Sequence, residues 1–263
     1  MSSEKTEAIV IRQADFSETS RVVTLFTHEF GKISAIAKGA KRLKGPYDAA
    51  LDLLTHCRIV FIRKSSSSLD ILTEAQVIQR FRPESKDLTV LYGGYYFAEL
   101  LTSLTEEYDP HTELFDEAVA GLNRLRTGDK PKETIVRFEL ATLREIGQLP
   151  SFDVCMACGV PLTDTEMSDR EMSDRAMSDR AMSVFWVSQG GMICSNCRKQ
   201  EYQQHPVQPG TLHALHKLSQ ADNESISTLV ISPQQLVEMR RITTSAISHI
   251  LGHRPKMFRY LQN

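Results

Sequence analysis

Two cysteine pairs constrain this chain more than any other feature: Cys155-Met156-Ala157-Cys158 and Cys194-Ser195-Asn196-Cys197, with 35 residues between them. Two residues between thiols let each pair wrap one metal ion in a tight turn. Two such knuckles complete a tetrahedral four-sulfur shell, and zinc is the ion that such a shell suits best. Gly159 after the first pair and Gly190-Gly191 before the second suit knuckle and hairpin turns. The run Val184-Phe185-Trp186-Val187, then Gly190-Gly191, then Met192-Ile193-Cys194 reads as the hairpin of a zinc ribbon. A catalytic zinc keeps an open position, so four cysteines point to one structural ion. Two disulfides need an oxidising compartment. A redox dithiol is the remaining alternative, without a thioredoxin-like context around either pair. The fifth cysteine, Cys57, sits in an apolar run and reads as a buried thiol.

The gap between the pairs is filled by Met167-Ser168-Asp169-Arg170, Met172-Ser173-Asp174-Arg175 and Met177-Ser178-Asp179-Arg180, a period of five over about 164–183. That period matches neither helix nor strand, so the repeat reads as a disordered loop-tip expansion. Lengthening a loop from ~15 to ~35 residues adds about 0.75 kcal/mol of closure entropy. Structural zinc contributes on the order of 10–16 kcal/mol, so the repeat does not disqualify the site.

Periodicity divides the rest. Short β-branched runs at Ala8–Ile11, Arg21–Phe26, Ile33–Ala37, Cys57–Ile62 and Leu69–Leu72 alternate with turn signals at Phe30-Gly31-Lys32, Gly39, Gly45-Pro46 and Ser65–Ser68. Five short strands in the first 82 residues predict a small closed barrel of the OB type. After Pro83 the period becomes helical. Leu88, Leu91, Tyr95, Ala98, Leu101 and Leu104 define one helix face, and Leu114, Phe115, Ala118, Leu122 and Leu125 a second. Ile135, Phe138, Leu140, Leu143 and Ile146 form a third behind Pro131, with Gly147 as its C-terminal cap. The aromatic group Tyr92, Tyr95, Tyr96, Phe97 reads as bundle core. The expected architecture is α+β: a barrel over 1–82, a helical domain over 83–150 and 204–263, and a zinc-binding insert over 151–203. In the last part, Leu212, Leu215 and Leu218 mark one helix, and Leu236 to Ile250 after Ser232-Pro233 another.

The net charge of −2 hides an uneven distribution. Residues 1–82 carry 13 basic and 9 acidic side chains, residues 83–150 carry 7 and 13, residues 151–203 carry 5 and 8, and residues 204–263 carry 6 and 3. Polyanion binding follows local rather than total charge. Lys32, Lys38, Lys41, Arg42 and Lys44 fall within 32–47 without an acid among them. Arg21 precedes them, and Arg254, Lys256 and Arg259 follow the last helix. OB barrels bind strands on one face and its flanking loops, with cations for phosphates and aromatics for bases. These nine residues are therefore the candidate DNA contacts, and two separate basic surfaces suit a protein that brings two strands together.

His213 and His216, three residues apart, read as a solvated helix face because no acidic third ligand is near in sequence. No Ser/His/Asp grouping, phosphate loop or HExxH zinc motif occurs, so no enzyme is expected. No apolar run approaches ~18 residues, so no membrane span is expected. The first seven residues lack the apolar core of an export signal. A zinc-ribbon protein-interaction scaffold, transcription-associated and without direct DNA contact, fits the same pieces.

In order along the chain, Ile9-Val10-Ile11, Phe16-Ser17-Glu18-Thr19-Ser20-Arg21, Leu25-Phe26-Thr27, Gly31-Lys32 and Ala37-Lys38-Gly39-Ala40-Lys41-Arg42 resemble the bacterial RecO family. So do Leu69-Asp70-Ile71-Leu72-Thr73-Glu74-Ala75, Tyr95-Tyr96-Phe97-Ala98-Glu99-Leu100-Leu101, Cys155–Cys158, Gly190-Gly191-Met192-Ile193-Cys194 and Leu251-Gly252-His253-Arg254. The resemblance implies a non-enzymatic recombination mediator of the RecF pathway, cytoplasmic and nucleoid-associated. It implies binding to single- and double-stranded DNA, strand annealing, association with a RecR-like protein and single-strand-binding protein, contact with a RecF-like protein, and help in loading RecA. It also places the family's DNA-binding loop at Lys38–Lys44.

Overall fold

A computed structural model of the chain describes residues 3–42, 47, 50–64, 69–162, 182–199, 206–220 and 229–261. The serine run 65–68, Lys44, and the repeat from 163 to 181 lie outside the described residues. Two compact units form, one of residues 1–131 with 255–263 and one of 132–254.

The first unit is built on an OB-fold barrel. Its strands are β1 (Ser3–Asp15), β2 (Arg21–Thr27), β3 (Gly31–Ala37), β4 (His56–Ile62) and β5 (Asp70–Gln79), closed in the order β1-β2-β3-β5-β4. Closure depends on β1, which pairs with β4 through Ser3–Ile9 and with β2 through Ala8–Asp15, bending at a bulge between Val10 and Arg12. β3 and β5 run parallel and pair through Ala35–Ala37 and Asp70–Leu72. Alternation explains the interior: Val23, Leu25, Ile33, Ala35, Cys57, Ile59 and Phe61 are buried in one cluster, while Phe26, next to Leu25, is buried against Phe115 instead. Tyr47 fills the barrel from the β3–β4 connection, its hydroxyl donating to the Leu72 carbonyl at 2.8 Å. Cys57 is a buried thiol, pushed up to about 12 by burial.

Two helices, α1 (Leu88–Leu104) and α2 (Thr112–Thr127), complete this unit with a 3-10 turn at Lys256–Tyr260. The buried face of α1 runs through Val90, Gly93, Gly94, Phe97, Leu100 and Leu101. The periodicity put Leu88 on that face, but Leu88 is 59% exposed because the helix is apolar on nearly every side. Phe115 of α2 lies against Phe26, His28 and His56 of the barrel. Gly31 opens β3 at φ +66°, where a Cβ would meet the Asp109 carbonyl oxygen at 2.1 Å. Only glycine therefore lets residues 106–109 dock along β3.

In the second unit α3 (Pro131–Glu145) is buried along Thr134–Leu143, and Gly147 at φ +69° closes it as a left-handed cap. A small sheet of β6 (Ser151–Cys155), β7 (Ser183–Trp186), β8 (Gly191–Ile193) and β9 (Pro206–Val207) has the order β6-β8-β7-β9. Two helices follow, α4 (Pro209–Gln220) and α5 (Pro233–Leu251). Charged side chains hold both ends of α4. Glu238 accepts from the Gln208 N–H at 3.1 Å and the Thr211 hydroxyl at 2.7 Å, at the end where a helix presents positive charge. Arg137 donates to the Leu218 and Ser219 carbonyls at 2.9 and 3.1 Å, and Arg144 to Ser219 at 2.9 Å. Ser232 and Gln235 form a reciprocal capping box at the start of α5. Ser232→Ala is expected to lower stability by about 1 kcal/mol, read as a reduced urea midpoint at unchanged slope. Among the described residues no helix is long and apolar enough to cross a membrane.

Candidate metal centre and nucleic-acid interface

The first knuckle leaves β6 at Cys155 and turns back so that the Gly159 N–H donates to the Cys155 carbonyl at 2.8 Å. The second leaves β8 at Ile193, and the N–H groups of Cys197 and Arg198 both donate to the Cys194 carbonyl. β8 lies between β6 and β7, so sheet pairing brings the two knuckles together across a long stretch of sequence. Close approach depends on Gly191, where a Cβ would meet Met156 Cγ at 2.4 Å.

The four sulfur atoms of Cys155, Cys158, Cys194 and Cys197 lie within 4.8 Å of one another, and that group can hold a metal ion. Sulfurs about 2.3 Å from a tetrahedral ion stand about 3.8 Å apart. The Cys158–Cys194 separation is 3.8 Å. All four cysteines are free thiols, with no disulfide joining them. Electrostatics also suit a cation. Burial alone raises the Cys155 thiol, but N–H donors from Cys194, Ala157 and Cys158 outweigh it and bring Cys155 to about 6. Cys197 is pushed up to about 12 by hydrogen bonding with the Cys158 and Cys194 sulfurs. Crowded thiols oppose one another's ionisation until a cation compensates them. Around the sulfurs Val184 and Ile193 are buried, with Leu162 and Trp186 packed against them.

His213 and His216 do not form the solvated face expected of them. Both are half-buried, and His216 Nδ1 lies 2.5 Å from Asp153 of β6. The acidic partner is remote in sequence and near in space.

The basic residues fall in three places. Lys38, Lys41 and Arg42 are exposed on the turn after β3. The turn is fastened to the β1–β2 connection: the Lys41 N–H donates to Thr19 O at 3.1 Å, and Lys41 Nζ to Asp15 Oδ2 at 2.9 Å and Ser17 O at 3.3 Å. Arg21 joins the same group through Asp15 and Gln13. The Lys41 ammonium holds the Asp15 carboxyl below the usual carboxylate range. Lys32 lies elsewhere. It lies five positions before Ala37 along β3, about 17 Å at ~3.3 Å per residue. Its ammonium donates to the Thr102 carbonyl at 2.7 Å and also to Thr105, capping α1. Burial lowers its pKa, with Glu106 and Glu107 acting against that shift. Lys32 therefore serves the fold rather than extending a track with Arg21. Next to it Ser34 donates to Glu107 at 3.0 Å, so residues 102–109 cover this end of the β3 outer face. Neither the cap nor the cover had any signal in local sequence pattern.

Lys256 and Arg259 are exposed on the 3-10 turn, which is held to α1 by Glu99 accepting the Lys256 and Met257 N–H groups at 2.6 and 2.8 Å. Tyr260 stacks on Tyr92 with ring centroids 4.9 Å apart, and the Arg259 guanidinium lies 4.7 Å from the Tyr260 centroid. Arg254 is exposed after α5, within the second unit.

Comparison with known proteins covers both halves of the chain. The family model described as Recombination protein O N terminal matches residues 1–81, and that described as Recombination protein O C terminal matches residues 85–257. A DNA repair protein RecO of Rhodopirellula baltica is 39% identical over 222 residues, 84% of this chain and 77% of that protein. One from Anaeromyxobacter dehalogenans is 31% identical over 261 residues, 99% of this chain and 96% of that protein. One from Bacillus pumilus is 27% identical over 238 residues, covering 90% and 85% respectively.

Proposed function

The chain belongs to the RecO family of DNA repair proteins, and from that premise we propose that it is a non-enzymatic recombination mediator that binds DNA through one end of its barrel. It takes single- and double-stranded DNA, anneals complementary strands and, with a RecR-like partner, assists RecA loading on DNA coated by single-strand-binding protein. The observation that carries this reading is that the turn bearing Lys38, Lys41 and Arg42 is fastened through Lys41 to the β1–β2 connection. It concentrates exposed cations on a rigid loop pair, where an OB barrel receives nucleic acid. Lys256 and Arg259 form a second site on the same unit, for a second strand, and Arg254 adds charge to the other unit. Asp15 holds Lys41 in place until a phosphate displaces it.

Zinc is the ion assigned to the four cysteines, one per chain, on the donor set and the 3.8 Å sulfur separation. When bound it supplies no chemistry beyond linking the two knuckles.

Strand annealing with complementary oligonucleotides coated by single-strand-binding protein tests the function. Lys41→Ala is expected to weaken binding across all sequences. It should flatten the plot of log affinity against log salt by about 0.7 for single strands and about 0.9 for duplex. An unchanged slope for Lys38, Lys41 and Arg42 variants alike overturns the interface. A second reading, a zinc-ribbon interaction scaffold, draws on the exposure of Val154, Met156 and Val160 around the first knuckle. It stands if the intact protein fails to bind DNA at low salt.

A further inference from the structure

Phe16 has no part in the barrel core. It is 59% exposed, whereas Phe26 and Phe61 of the same unit are fully buried. Burying such a side chain is worth roughly 1.5–3 kcal/mol, and the Phe16 ring, left in water on a hydrogen-bonded loop, is free to gain that from a ligand. The loop that carries it is fixed at several points. The N–H groups of Phe16 and Ser17 donate to the Ser20 carbonyl at 3.0 and 3.2 Å, and the Ser20 N–H donates to Ser17 Oγ at 3.2 Å. From outside the loop, Lys41 holds the Thr19 and Ser17 carbonyls. The ring is thus mounted on a backbone that does not need ordering when a ligand arrives, which lowers the entropic cost of binding.

What surrounds Phe16 selects the ligand. Lys38, Lys41 and Arg42 are exposed on the turn fastened to this loop, and the opposite end of β3 is covered by residues 102–109. An aromatic face among cations matches an unpaired nucleobase with its flanking phosphates. A paired base offers no such match, because its neighbours in the duplex already occupy both faces.

We propose that Phe16 is the base-stacking residue of the DNA interface, and that it makes this end of the barrel prefer single strands over duplex. This inference rests on the DNA-binding reading above. The cations grip either form of DNA; the ring grips only the unpaired one. A base seated on Phe16 is held out of its duplex while the adjacent phosphates stay bound, so the residue favours strands that are open before they are annealed. Glu18, exposed on the same loop, keeps the site from being uniformly cationic and limits how tightly phosphates alone can bind there.

The test uses the full chain, with a labelled oligothymidylate, the same strand lacking bases, and a blunt duplex of equal length, titrated by fluorescence anisotropy. Phe16→Ala is expected to weaken oligothymidylate binding between about fivefold and about 150-fold. Duplex and abasic affinities and the salt slope should not change, since a ring releases no counterions. Phe16→Trp should retain the single-strand preference and Phe16→Leu should lose it, which separates stacking from simple apolar contact. Phe16 is exposed, so each variant should keep the parent melting temperature. Equal binding of oligothymidylate by Phe16→Ala and the parent overturns the proposal, as does equal loss on all three probes or full retention by Phe16→Leu. If Lys41→Ala still flattens the salt slope in that case, the DNA interface stands and only the role of Phe16 fails. A parent protein that binds none of the probes overturns the underlying reading instead.

Discussion

Cys194→Ser is expected to abolish metal binding and unfold the small sheet of the second unit. Serine is a poor zinc ligand, and three remaining sulfurs leave the ion open to water and chelators. Structural zinc contributes on the order of 10–16 kcal/mol in small sites, comparable with the ~5–15 kcal/mol that holds a whole domain together. The apolar cluster around the sulfurs is small, Cys155, Val184, Ile193 and Cys194 with Leu162, Trp186 and Cys197 at its margin, while Phe152, Phe185, Met192 and Val207 of the same sheet are buried outside it. Metal analysis should fall from one equivalent to none. Amide exchange should lose protection over β6, β7 and β8 while the barrel amides keep theirs. Acid and chelators should have the same effect on the parent protein, because binding requires thiolates and release returns their protons. Cys57→Ser is the control: this thiol lies in the barrel, donating to the Ala8 carbonyl at 3.6 Å, so metal content should not change. A Cys194→Ser protein with unaltered exchange would show that the sheet stands without the ion.

The second large effect concerns Glu139, whose side chain is fully buried on α3. Its two oxygens accept from Arg240 Nη1 at 2.7 Å and the Thr243 hydroxyl at 2.6 Å, tying α3 to α5. Removing one partner of a buried pair leaves the other charge uncompensated, at about 3–5 kcal/mol. Glu139→Ala should therefore lower the stability of the second unit by about that amount, read as a reduced urea midpoint. Replacing both charges with apolar side chains of similar volume, Glu139→Leu with Arg240→Met, should recover most of the loss. If Glu139→Ala proves as stable as the parent, the pair is a bystander to the packing of α3.

The features legible in sequence are those written in local pattern. Five β-branched runs marked the five barrel strands, though β1 and β5 extend further than their apolar centres, through the polar residues Ser3–Glu7 and Thr73–Gln79 that their partners pair with. Helix starts at Pro131 and Ser232-Pro233 and the stop at Gly147 were visible because caps and prolines act within one turn. Cysteine spacing displayed the metal centre since each knuckle is local. What could not be read is chemistry joining distant segments. Lys32 was one base among several until α1 turned its C-terminal carbonyls toward it. His216 had no acidic neighbour until α4 met Asp153. Nothing local marks Glu139 and Arg137 as buried, because their partners lie on α5 and α4. Phe16 was legible as a residue but not as an exposed one, since exposure depends on the loop that lifts it clear of the core.

Closure of the barrel limits how other proteins can join it. Because β1 pairs on both sides and β4 meets it, the ring closes at the short parallel contact of β3 with β5, three residues on each strand; beyond that contact residues 107 and 108 lie along β3, the Tyr108 N–H donating to the Lys32 carbonyl at 3.0 Å. An extended peptide therefore finds this stretch of β3 already occupied by the chain itself, which narrows a common route by which flexible tails are captured. Proteins that recognise side chains on the loops and outer faces of the barrel leave that backbone pairing undisturbed. Among the described residues, the four-stranded sheet has its outer edges at β6 and β9. A tail that binds there as a strand joins the same sheet that carries the four cysteines.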